Sequence, residues 1–388
     1  MFRWLPWRKE ELGPFLRLVL ALGLMEGARS GFFAGLLPFY APEHLGLGPA
    51  VFTLAFTLHQ LAENLSKSLG GLLAERLGFG RMVAAAAATG LLALLLTPQA
   101  EAPLGLWSLA LLWGLSMSTL YPGLLTLASR IAVAGREARA LSFTLVLVMP
   151  WVGIGVVGTG QVAQQHPATA LHLLLLAQGA ALALALSLLR FRIPLPQERR
   201  ERVSYHRLLY FLPAAFGQTF APGLVSLFLL RFAKEKLGLE PLALGGLLLL
   251  GGAVAFGLLP FTGRLVDRGG YRLALVGGLG LLGWVMVRLG MGPSLQEVLL
   301  LAPLGGLGFG LFLPGWTGFL VRHLPQENRA AIWGGLMTVE GLGLALGPAV
   351  GGALWEAFGL ETPFYVGGGI FLGLALFYAL VLRGKAWK

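Results

Sequence analysis

Cysteine is absent from the 388-residue chain, and only 12% of its residues are charged. The lack of cysteine excludes a disulfide framework and a thiolate zinc site. An ordinary soluble domain has roughly a quarter of its residues charged, whereas 56% of the residues here are hydrophobic. A soluble fold of this length needs polar residues to cover its outside, so we expect the outside of this protein to face an apolar medium.

Motifs of ATP use and of catalysis are also absent. The chain has no G-x-x-x-x-G-K-[ST] loop, which excludes ATP as its direct source of energy. It has no H-E-x-x-H pattern, and its six histidines lie in different segments without metal-ligand spacing. No polar stretch is long enough to form a soluble catalytic domain. We therefore expect a protein that is not an enzyme and that uses neither a metal nor another cofactor.

Long hydrophobic runs dominate what is present, and Lys and Arg separate them. Nucleic-acid-binding proteins instead cluster basic residues on one face, so the net charge of +11 does not indicate that function. A spanning helix needs about 20 mostly apolar residues, and the runs lack the alternation of a barrel wall. We predict twelve transmembrane helices, approximately at residues 14–40, 50–75, 81–97, 104–130, 139–163, 168–190, 207–231, 241–265, 272–290, 296–321, 330–356 and 363–383.

Most of the 29 Lys and Arg residues fall in alternate loops and at the two ends of the chain. Because cytoplasmic loops are enriched in basic residues, this bias places the N-terminus in the cytoplasm, and an even number of spans returns the C-terminus there. The basic start leads into a long apolar run without a small-residue cleavage site, so we expect an uncleaved first span. The prediction is a multi-pass protein of the inner (plasma) membrane with both termini cytoplasmic.

The two halves of the chain repeat one pattern. The segment GLLAERLGFGR at 71–81 matches GRLVDRGGYR at 263–272 with an offset of 192, and the same offset places Pro122-Gly123 on Pro314-Gly315. Parallel repeats are a known transporter architecture with the solute site between the halves, although duplication could also serve only to build a stable bundle. We predict an all-α membrane protein of two pseudo-symmetric six-helix bundles, at 1–190 and 207–388, joined by a cytoplasmic linker at 191–206.

The repeated segment resembles the loop signature of the major facilitator superfamily, G-x-L-x-D-R-x-G-R, in both copies. The resemblance covers essentially the whole chain and implies the fold of that family, in a bacterial secondary transporter similar to drug efflux proteins. It implies a gating motif formed by Gly71, Glu75, Arg76, Gly78 and Arg81 and by Gly263, Asp267, Arg268, Gly270 and Arg272.

By the same resemblance, the acids of the motif hold the cytoplasmic side closed. An acid there can lie against the positive N-terminal end of a neighbouring helix, which implies that Glu75 lies near Arg329 and Asp267 near Arg139. Glu75 departs from the Asp of the family and is longer by one methylene. The alternative is that the basic residues of the motif only set the topology.

Five ionisable residues fall near the middle of predicted spans, namely Glu26, Arg29, Glu63, Lys67 and Glu340. A charge at the centre of a bilayer costs about 2.5–3.5 kcal/mol on insertion scales, so such residues are functional candidates. Glu26 and Arg29 are three residues apart and Glu63 and Lys67 are four apart, so each pair shares a helix face. The predicted substrate- and proton-binding site also contains His59, Gln60, Asn64 and Gln218.

Two interpretations of these charges remain open. Ion pairs within one helix would lower the insertion cost and have only a structural role. Alternatively, the charges line a watery cavity in which a carboxylate gains and loses a proton as the cavity changes sides. Glu26 and Glu63 are the first candidates for this coupling, and Arg29 keeps its charge as a fixed partner. For Glu340 three alternatives remain: it is protonated, it pairs with Arg29 or Lys67, or it binds a cationic solute.

These features predict a secondary active transporter that moves a small solute by alternating access and is coupled to protons. Efflux of hydrophobic or amphipathic compounds is the leading prediction, because the spans hold few polar side chains of the kind that bind sugars. The glycine-proline segment at 343–352 is similar to the antiporter motif of drug/proton exchangers, with helix packing as the alternative explanation. The other candidates are proton symport of an organic anion or other nutrient, and a passive lipid-moving protein or transporter-like sensor. We expect a monomer whose partners are the solute, protons and the lipid bilayer, and no nucleic acid.

Overall fold

A computed structural model of the protein describes residues 7–67, 73, 77–133, 137–189, 209–323 and 329–382. The chain divides into two compact units, Met1–Glu198 and Arg199–Lys388. Among the described residues every regular element is helical, apart from an isolated antiparallel bridge between Trp7 and Ala132. The linker expected at 191–206 lies outside the described residues, so its structure stays a prediction.

Six helical segments make up the described part of the first unit. The first segment begins as α1 (Leu12–Ser30), passes through a π-helical stretch (Gly31–Leu36), and continues as α2 (Leu37–Tyr40) and a second π-helical stretch (Ala41–Leu45). The other segments are α3 (Pro49–Leu65), α4 (Phe79–Leu96), α5 (Pro103–Met117) with α6 (Leu120–Arg130), α7 (Glu137–Ala163) and α8 (Pro167–Ser187).

The described part of the second unit also contains six helical segments. The first is a broken helix, α9 (Leu212–Ser226) and α10 (Leu229–Leu237), with a bend of 56° between its two parts. The others are α11 (Pro241–Leu265) with a π-helical end (Val266–Gly270), α12 (Tyr271–Gly290), α13 (Leu295–His323), α14 (Arg329–Phe358) and α15 (Thr362–Val381).

Each predicted span has a helical counterpart, with shifted ends. Nine of the described helices are long and apolar enough to cross a membrane, and the bent pair α9–α10 makes ten. Helix α5 is apolar as well but has only 15 residues, and α3, which carries the polar residues from His59 to Asn64, has 17. The span predicted at 104–130 is two helices, α5 and α6, and its break falls at Ser118 and Thr119. Pro122 has no N–H to donate to the carbonyl of Ser118 one turn earlier, which explains a break there.

Proline starts four of the helices. Pro49, Pro103, Pro167 and Pro241 are the first residues of α3, α5, α8 and α11. The N–H groups of a first helical turn have no partner within the helix, and the fixed φ of proline already suits the helix, so proline is favoured at this position. These prolines therefore define where four spans begin.

Glycine allows two pairs of helices to approach backbone to backbone. A Cβ at Gly114 on α5 would overlap the carbonyl oxygen of His59 on α3, and a Cβ at Gly306 on α13 would overlap the carbonyl oxygen of Gly251 on α11. Small residues at such crossings permit close packing of membrane helices. The two contacts are related by the offset of 192 in the sequence, so the two units pack these helices in the same way.

Candidate functional site

Arg29 lies at the centre of a buried polar group in the first unit, formed by Glu26, Arg29, Gln60 and Glu63 and called the ionic cluster below. Arg29 Nη2 donates to Glu26 Oε2 at 2.5 Å, and Nη1 donates to Gln60 Oε1 at 2.9 Å and to Glu63 Oε2 at 3.1 Å. The side chains of Glu26, Arg29 and Glu63 are 7, 17 and 15% exposed. Two carboxylates therefore share one guanidinium with little access to solvent.

Two helices build the ionic cluster from short-range pairs. Glu26 and Arg29 are three residues apart on α1, and Gln60 and Glu63 are three apart on α3, so each pair projects from one face of its helix. The spacing predicted these two faces. It did not show that the face of α1 meets the face of α3, which the hydrogen bonds from Arg29 establish.

The polar stripe of α3 continues beyond the cluster toward an exposed end. Asn64 Nδ2 donates to the carbonyl oxygen of Gln60 at 2.8 Å, and Lys67 Nζ donates to Asn64 Oδ1 at 2.6 Å. Lys67 is exposed. Its hydrogen-bond partner is therefore Asn64, whereas the cation hydrogen-bonded to Glu63 is Arg29. An ion pair of Glu63 with Lys67 along one helix, considered from their spacing, is not the arrangement found.

His59 lies one turn before Glu63 on α3 and is fully buried. Its Nδ1 is 3.2 Å from the carbonyl oxygen of Ala110 on α5, and its Nε2 is 3.9 Å from Glu63 Oε2. The ring centroids of Phe33 and Trp113 lie 5.0 and 5.8 Å from the imidazole centroid. The imidazole therefore has an aromatic surrounding and one carboxylate as its neighbour on the Nε2 side.

Tyr121 on α6 belongs to the same region and was missed by the sequence reasoning. Its hydroxyl is buried and has no hydrogen-bond partner among the described residues, and it interacts electrostatically with Glu26, Arg29 and Glu63. The available signal was its position directly before the repeated Pro122-Gly123. The tyrosine adds a neutral donor and acceptor beside the ionic cluster.

Glu340 on α14 and Gln218 on α9 meet in the second unit. Gln218 Nε2 donates to Glu340 Oε1 at 2.6 Å, and the Glu340 carboxylate also accepts a hydrogen bond from the side chain of Trp316. Thr219 Oγ1 donates to the backbone carbonyl of Glu340 at 2.6 Å. Within the described part of the second unit, Glu340 has no cationic partner in hydrogen-bond or ion-pair contact.

The offset of 192 relates Gln218 to Glu26 and Ala221 to Arg29. The first unit therefore has an ion pair at positions where the second unit has a neutral amide and a methyl group. This difference between the repeats leaves Glu340 with neutral hydrogen-bond donors, Gln218 and Trp316.

An apolar cavity of about 440 Å³ lies within the second unit, among helices α9 to α13 and α15. Leu, Val, Phe, Ala and Gly residues form most of its wall. Gln218 is the one polar side chain among the described residues that line it. We call this space the apolar cavity.

Small residues open the apolar cavity. Four of its lining residues stand at positions whose repeat partners in the first unit carry larger side chains. They are Gly251, Gly252, Ala255 and Gly305, which correspond to His59, Gln60, Glu63 and Trp113. A Cβ at Gly252 would meet no neighbouring atom within 4 Å, and a Cβ at Gly305 would meet only Val285, at 3.7 Å, so the small residues at these two positions leave open space. A Cβ at Gly251 would instead overlap the carbonyl oxygen of Ala302, so this glycine serves close packing.

The gating motif is described only in part. Gly71, Glu75 and Arg76 lie outside the described residues, as do the side chains of Arg139 and Arg329. The contacts expected of Glu75 and Asp267 with those arginines therefore stay predictions. The described arginine of the first copy, Arg81, is exposed at the start of α4.

The second copy of the gating motif lies at the end of α11. Gly263 is within the last turns of α11, and Asp267 and Arg268 in the π-helical end are exposed. In the first copy, Gly78 has a left-handed φ of 90°. The aligned residue of the second copy, Gly270, has a φ of −79°, and the left-handed residue there is the preceding Gly269, with a φ of 94°. The second copy has a glycine where the first has a leucine, so the turn can form one residue earlier.

The guanidinium of Arg272 is hydrogen-bonded to a neighbouring helix of the second unit. Its Nη2 donates to the carbonyl oxygen of Ala379 on α15 at 2.9 Å. This bond ties the start of α12 to the last turn of α15. Arg322, the repeat partner of Arg130, lies with its guanidinium 5.3 Å from the centroid of the Tyr271 ring.

An ion pair holds α10 against the segment between α14 and α15. Lys236 Nζ is paired with Glu361 Oε1, and the Arg231 guanidinium lies 5.3 Å from the centroid of the Trp355 ring. The hydrogen bond from Lys236 holds the pKa of the Glu361 carboxyl below its ordinary value. Leu229, on the same short helix, lines the apolar cavity, so this pair fixes part of the cavity wall.

The chain is similar to known membrane transporters in both sequence and structure. The family model of the Major Facilitator Superfamily matches residues 18–302 and 208–387. A proton-coupled antiporter flippase LtaA of Staphylococcus saprophyticus is 23% identical over 377 residues, which cover 94% of each chain. A proton-coupled antiporter flippase LtaA of Staphylococcus aureus is 23% identical over 388 residues, which cover 96% of each chain.

Two solved structures have the same fold. The nucleoside transporter NupG superposes with a TM-score of 0.72 at 14% identity, over 96% of this chain and 100% of that chain. A peptide transporter POT in complex with sulfate superposes with a TM-score of 0.72 at 15% identity, over 98% of this chain and 96% of that chain. The relatives and the structural neighbours are transporters and not enzymes. The all-α fold, the repeated loop signature and the family match together establish that this chain is a multi-pass membrane transporter of the Major Facilitator Superfamily.

Proposed function

We propose that the protein is a proton-coupled antiporter that exports amphipathic compounds with an apolar chain, by alternating access. The observation that supports this function best is the difference between the repeats. The first unit holds the buried ionic cluster, and the second unit holds the apolar cavity at repeat-related positions. The names of the relatives, which are proton-coupled antiporter flippases, support both the proton and an amphipathic solute.

The charge balance of the ionic cluster favours a proton as the coupling ion. Ionised Glu26 and Glu63 carry two negative charges against the one positive charge of Arg29, so the cluster itself has one excess negative charge, which the exposed Lys67 attracts only from outside the cluster. An unmatched charge at membrane depth costs on the order of 3 kcal/mol. A single bound proton removes that charge. A conformational change that alters the access of water to the cluster therefore drives binding or release of the proton.

The same balance disfavours uptake of an organic anion through Arg29 and Lys67. The positive charge of Arg29 is already matched by two carboxylates. Lys67 is exposed and donates to Asn64. An incoming anion would have to displace a carboxylate from the guanidinium and would increase the negative charge of the cluster.

The apolar cavity favours an alkyl or acyl chain as part of the solute. Its volume of about 440 Å³ is within the range of small-molecule sites. A hydrophilic solute would lose its hydrogen bonds to water against this wall, at a cost of about 1–3 kcal/mol for each unpaired polar group. An apolar chain loses none. The solute class is therefore an amphipathic molecule whose chain enters the cavity.

The distribution of basic residues supports the orientation. We place the basic loops and both termini on the cytoplasmic side of the plasma membrane, and we expect the protein to act there as a monomer. In this orientation an inward proton gradient drives the amphipathic solute away from the cytoplasm. The gating motif copies at 71–81 and 263–272 then close the cytoplasmic side in one state of the cycle.

The test is transport in proteoliposomes that contain a fluorescent short-chain phospholipid as the amphipathic probe and a labelled dipeptide as the hydrophilic comparison. An imposed pH gradient should speed movement of the phospholipid probe, and collapse of the gradient should return the rate to the basal value. Glu63→Gln should remove the response to the gradient, because an amide cannot bind the proton. Glu101→Gln, an exposed carboxyl of the same unit, is the matched control and should respond like the wild type.

Two results would contradict the proposal. If the phospholipid probe moves equally with and without the gradient, the protein is not proton-coupled. If the dipeptide moves and the phospholipid does not, the solute is not amphipathic.

A further inference from the structure

His59 has one ring nitrogen whose role is fixed by its partner. Nδ1 lies 3.2 Å from the carbonyl oxygen of Ala110, and a carbonyl oxygen only accepts hydrogen bonds, so Nδ1 carries the hydrogen. In the neutral imidazole the other nitrogen, Nε2, then has a lone pair and no hydrogen. The glycine contact of Gly114 with the backbone of His59 brings α5 close enough for this bond.

The Nε2 lone pair has the coupling carboxylate of Glu63 as its ion-pair neighbour. It is buried and has no hydrogen-bond partner in the described part of the chain. Its polar neighbour is Glu63 Oε2 at 3.9 Å, which accepts from Arg29 Nη1 at 3.1 Å. Two acceptors cannot bond to each other, and a separation of 3.9 Å is longer than any hydrogen bond. In this structure Glu63 is therefore bonded to Arg29 and not to His59.

The charged and titratable groups around His59 come from three helices. Its own helix α3 contributes Glu63, and Lys67, just beyond the end of α3, acts on Glu63 from an exposed position. Helix α1 contributes Glu26 and Arg29, and helix α6 contributes Tyr121 beside Glu26, Arg29 and Glu63. Helix α5 contributes the carbonyl of Ala110 and the ring of Trp113. An imidazolium would add a second cation next to the guanidinium of Arg29 in a region with little solvent, so the neutral ring suits this environment.

We propose that His59 is a positioning residue for the coupling proton, which it holds on Glu63 by accepting a hydrogen bond at Nε2. This inference rests on the proposed function and adds where the proton resides. When a proton binds Glu63, the carboxylate becomes a carboxylic acid, its attraction to Arg29 weakens, and its O–H donates to Nε2. The proton stays on Glu63, and Nδ1–H stays bonded to Ala110. A movement of about 1 Å converts the separation of 3.9 Å into a hydrogen bond.

Two substitutions of His59 test the roles of Nδ1 and Nε2 separately. His59→Asn keeps an amide donor near Ala110 but has no acceptor at the position of Nε2. His59→Gln places an amide oxygen near that position and is the conservative variant. Loss of a hydrogen bond to the protonated acid should shift the pH midpoint of gradient-driven transport down by about one unit in His59→Asn. The midpoint of His59→Gln should stay near that of the wild type.

The second measurement does not depend on transport. Nitrogen-15 NMR of the wild-type protein, labelled in its six histidines and reconstituted in lipid, reports the tautomer of His59, whose signal His59→Gln identifies by its loss. We expect a neutral ring with hydrogen on Nδ1, and an Nε2 signal that moves on acidification in the wild type. In Glu63→Gln the Nε2 signal should not move with pH over the same range.

The inference is overturned if the ring carries its hydrogen on Nε2, or if His59→Asn keeps the wild-type midpoint. Should His59→Asn fail to fold, the wild-type and Glu63→Gln spectra, with the His59 signal assigned from His59→Gln, decide the question. A transport assay without any response to the gradient in the wild type would refute the proposed coupling instead, while the NMR result on the tautomer would still stand.

Discussion

Removal of the guanidinium from the ionic cluster is the perturbation with the largest expected effect. Arg29→Met leaves Glu26 and Glu63 buried together without their shared cation. Breaking a buried ion pair by removal of one partner costs about 3–5 kcal/mol. The unpaired carboxylates can become neutral by binding protons. For an ordinary carboxyl with a pKa of about 4.3, protonation at pH 7 costs about 4 kcal/mol for each group. The expected loss at pH 7 is therefore about 3–5 kcal/mol.

The pH dependence of that loss follows from the same reasoning. At pH 5 the uptake of a proton by an ordinary carboxyl costs only about 1 kcal/mol. The destabilisation by Arg29→Met should then fall to about 1–2 kcal/mol. In the triple variant Glu26→Gln/Arg29→Met/Glu63→Gln no charge is left unpaired, and its stability should lie within about 2 kcal/mol of the wild type at both pH values.

The assay is thermal unfolding of the purified protein in detergent, followed by the fluorescence of its ten tryptophans at pH 7 and pH 5. A loss of 3–5 kcal/mol corresponds to a fall in Tm on the order of 10 °C at pH 7. The fall should be clearly smaller at pH 5 and largely absent in the triple variant. If Arg29→Met unfolds at the wild-type temperature at pH 7, or loses the same amount at both pH values, the two carboxylates are not held by this guanidinium.

Two further predictions concern the second unit. Ala255→Phe should fill part of the apolar cavity and reduce gradient-driven movement of the phospholipid probe at least tenfold. Ala253→Phe, at an exposed position of the same helix, is the control and should transport like the wild type. Equal transport by both variants would show that the cavity does not receive the solute. Glu361→Gln should lower the Tm at pH 7 because it removes the ion pair with Lys236, and Lys236→Met should have a similar effect. Since the pKa of Glu361 is lowered in the folded protein, the pair stabilises the fold fully above the ordinary carboxyl pKa of about 4, and its contribution decreases as the pH falls from there through the lowered pKa. Thermal unfolding between pH 7 and pH 3 checks this, and a Tm difference as large at pH 3 as at pH 7 would contradict it.

Much of the fold was predictable because its signals are local in the sequence. Runs of apolar residues between basic loops predicted the helical segments, and prolines such as Pro49 and Pro241 marked where helices begin. The bend between α9 and α10 and the break between α5 and α6 were not predicted. Each interrupts an apolar run without interrupting its hydrophobicity, so a pattern of apolar residues does not reveal it.

The candidate site was predictable as a set of residues but not as a set of contacts. The positions of Glu26 and Arg29, three residues apart, were enough to predict their shared helix face, and an ion pair between them formed. The partner of Glu63 was not predictable in this way, because the local candidate Lys67 competes with Arg29, which is 34 positions distant along the chain. Tyr121 and the carbonyl of Ala110 enter the site from other helices, and a backbone carbonyl has no signature in a sequence.

The sequence by itself determined that the chain is a helical membrane protein of two repeated halves, with ionisable residues at membrane depth. These properties depend on composition, on helical period and on the offset between the copies, all of which can be read from the order of residues along the chain. Only the tertiary structure decided that Arg29 bonds to Glu63, that His59 turns its Nδ1 to Ala110, and that Gly252, Ala255 and Gly305 border an open volume. The physical reason is that hydrogen bonds and cavities depend on which helix faces meet and how closely they approach, and this is settled by the packing of all the helices of a unit together.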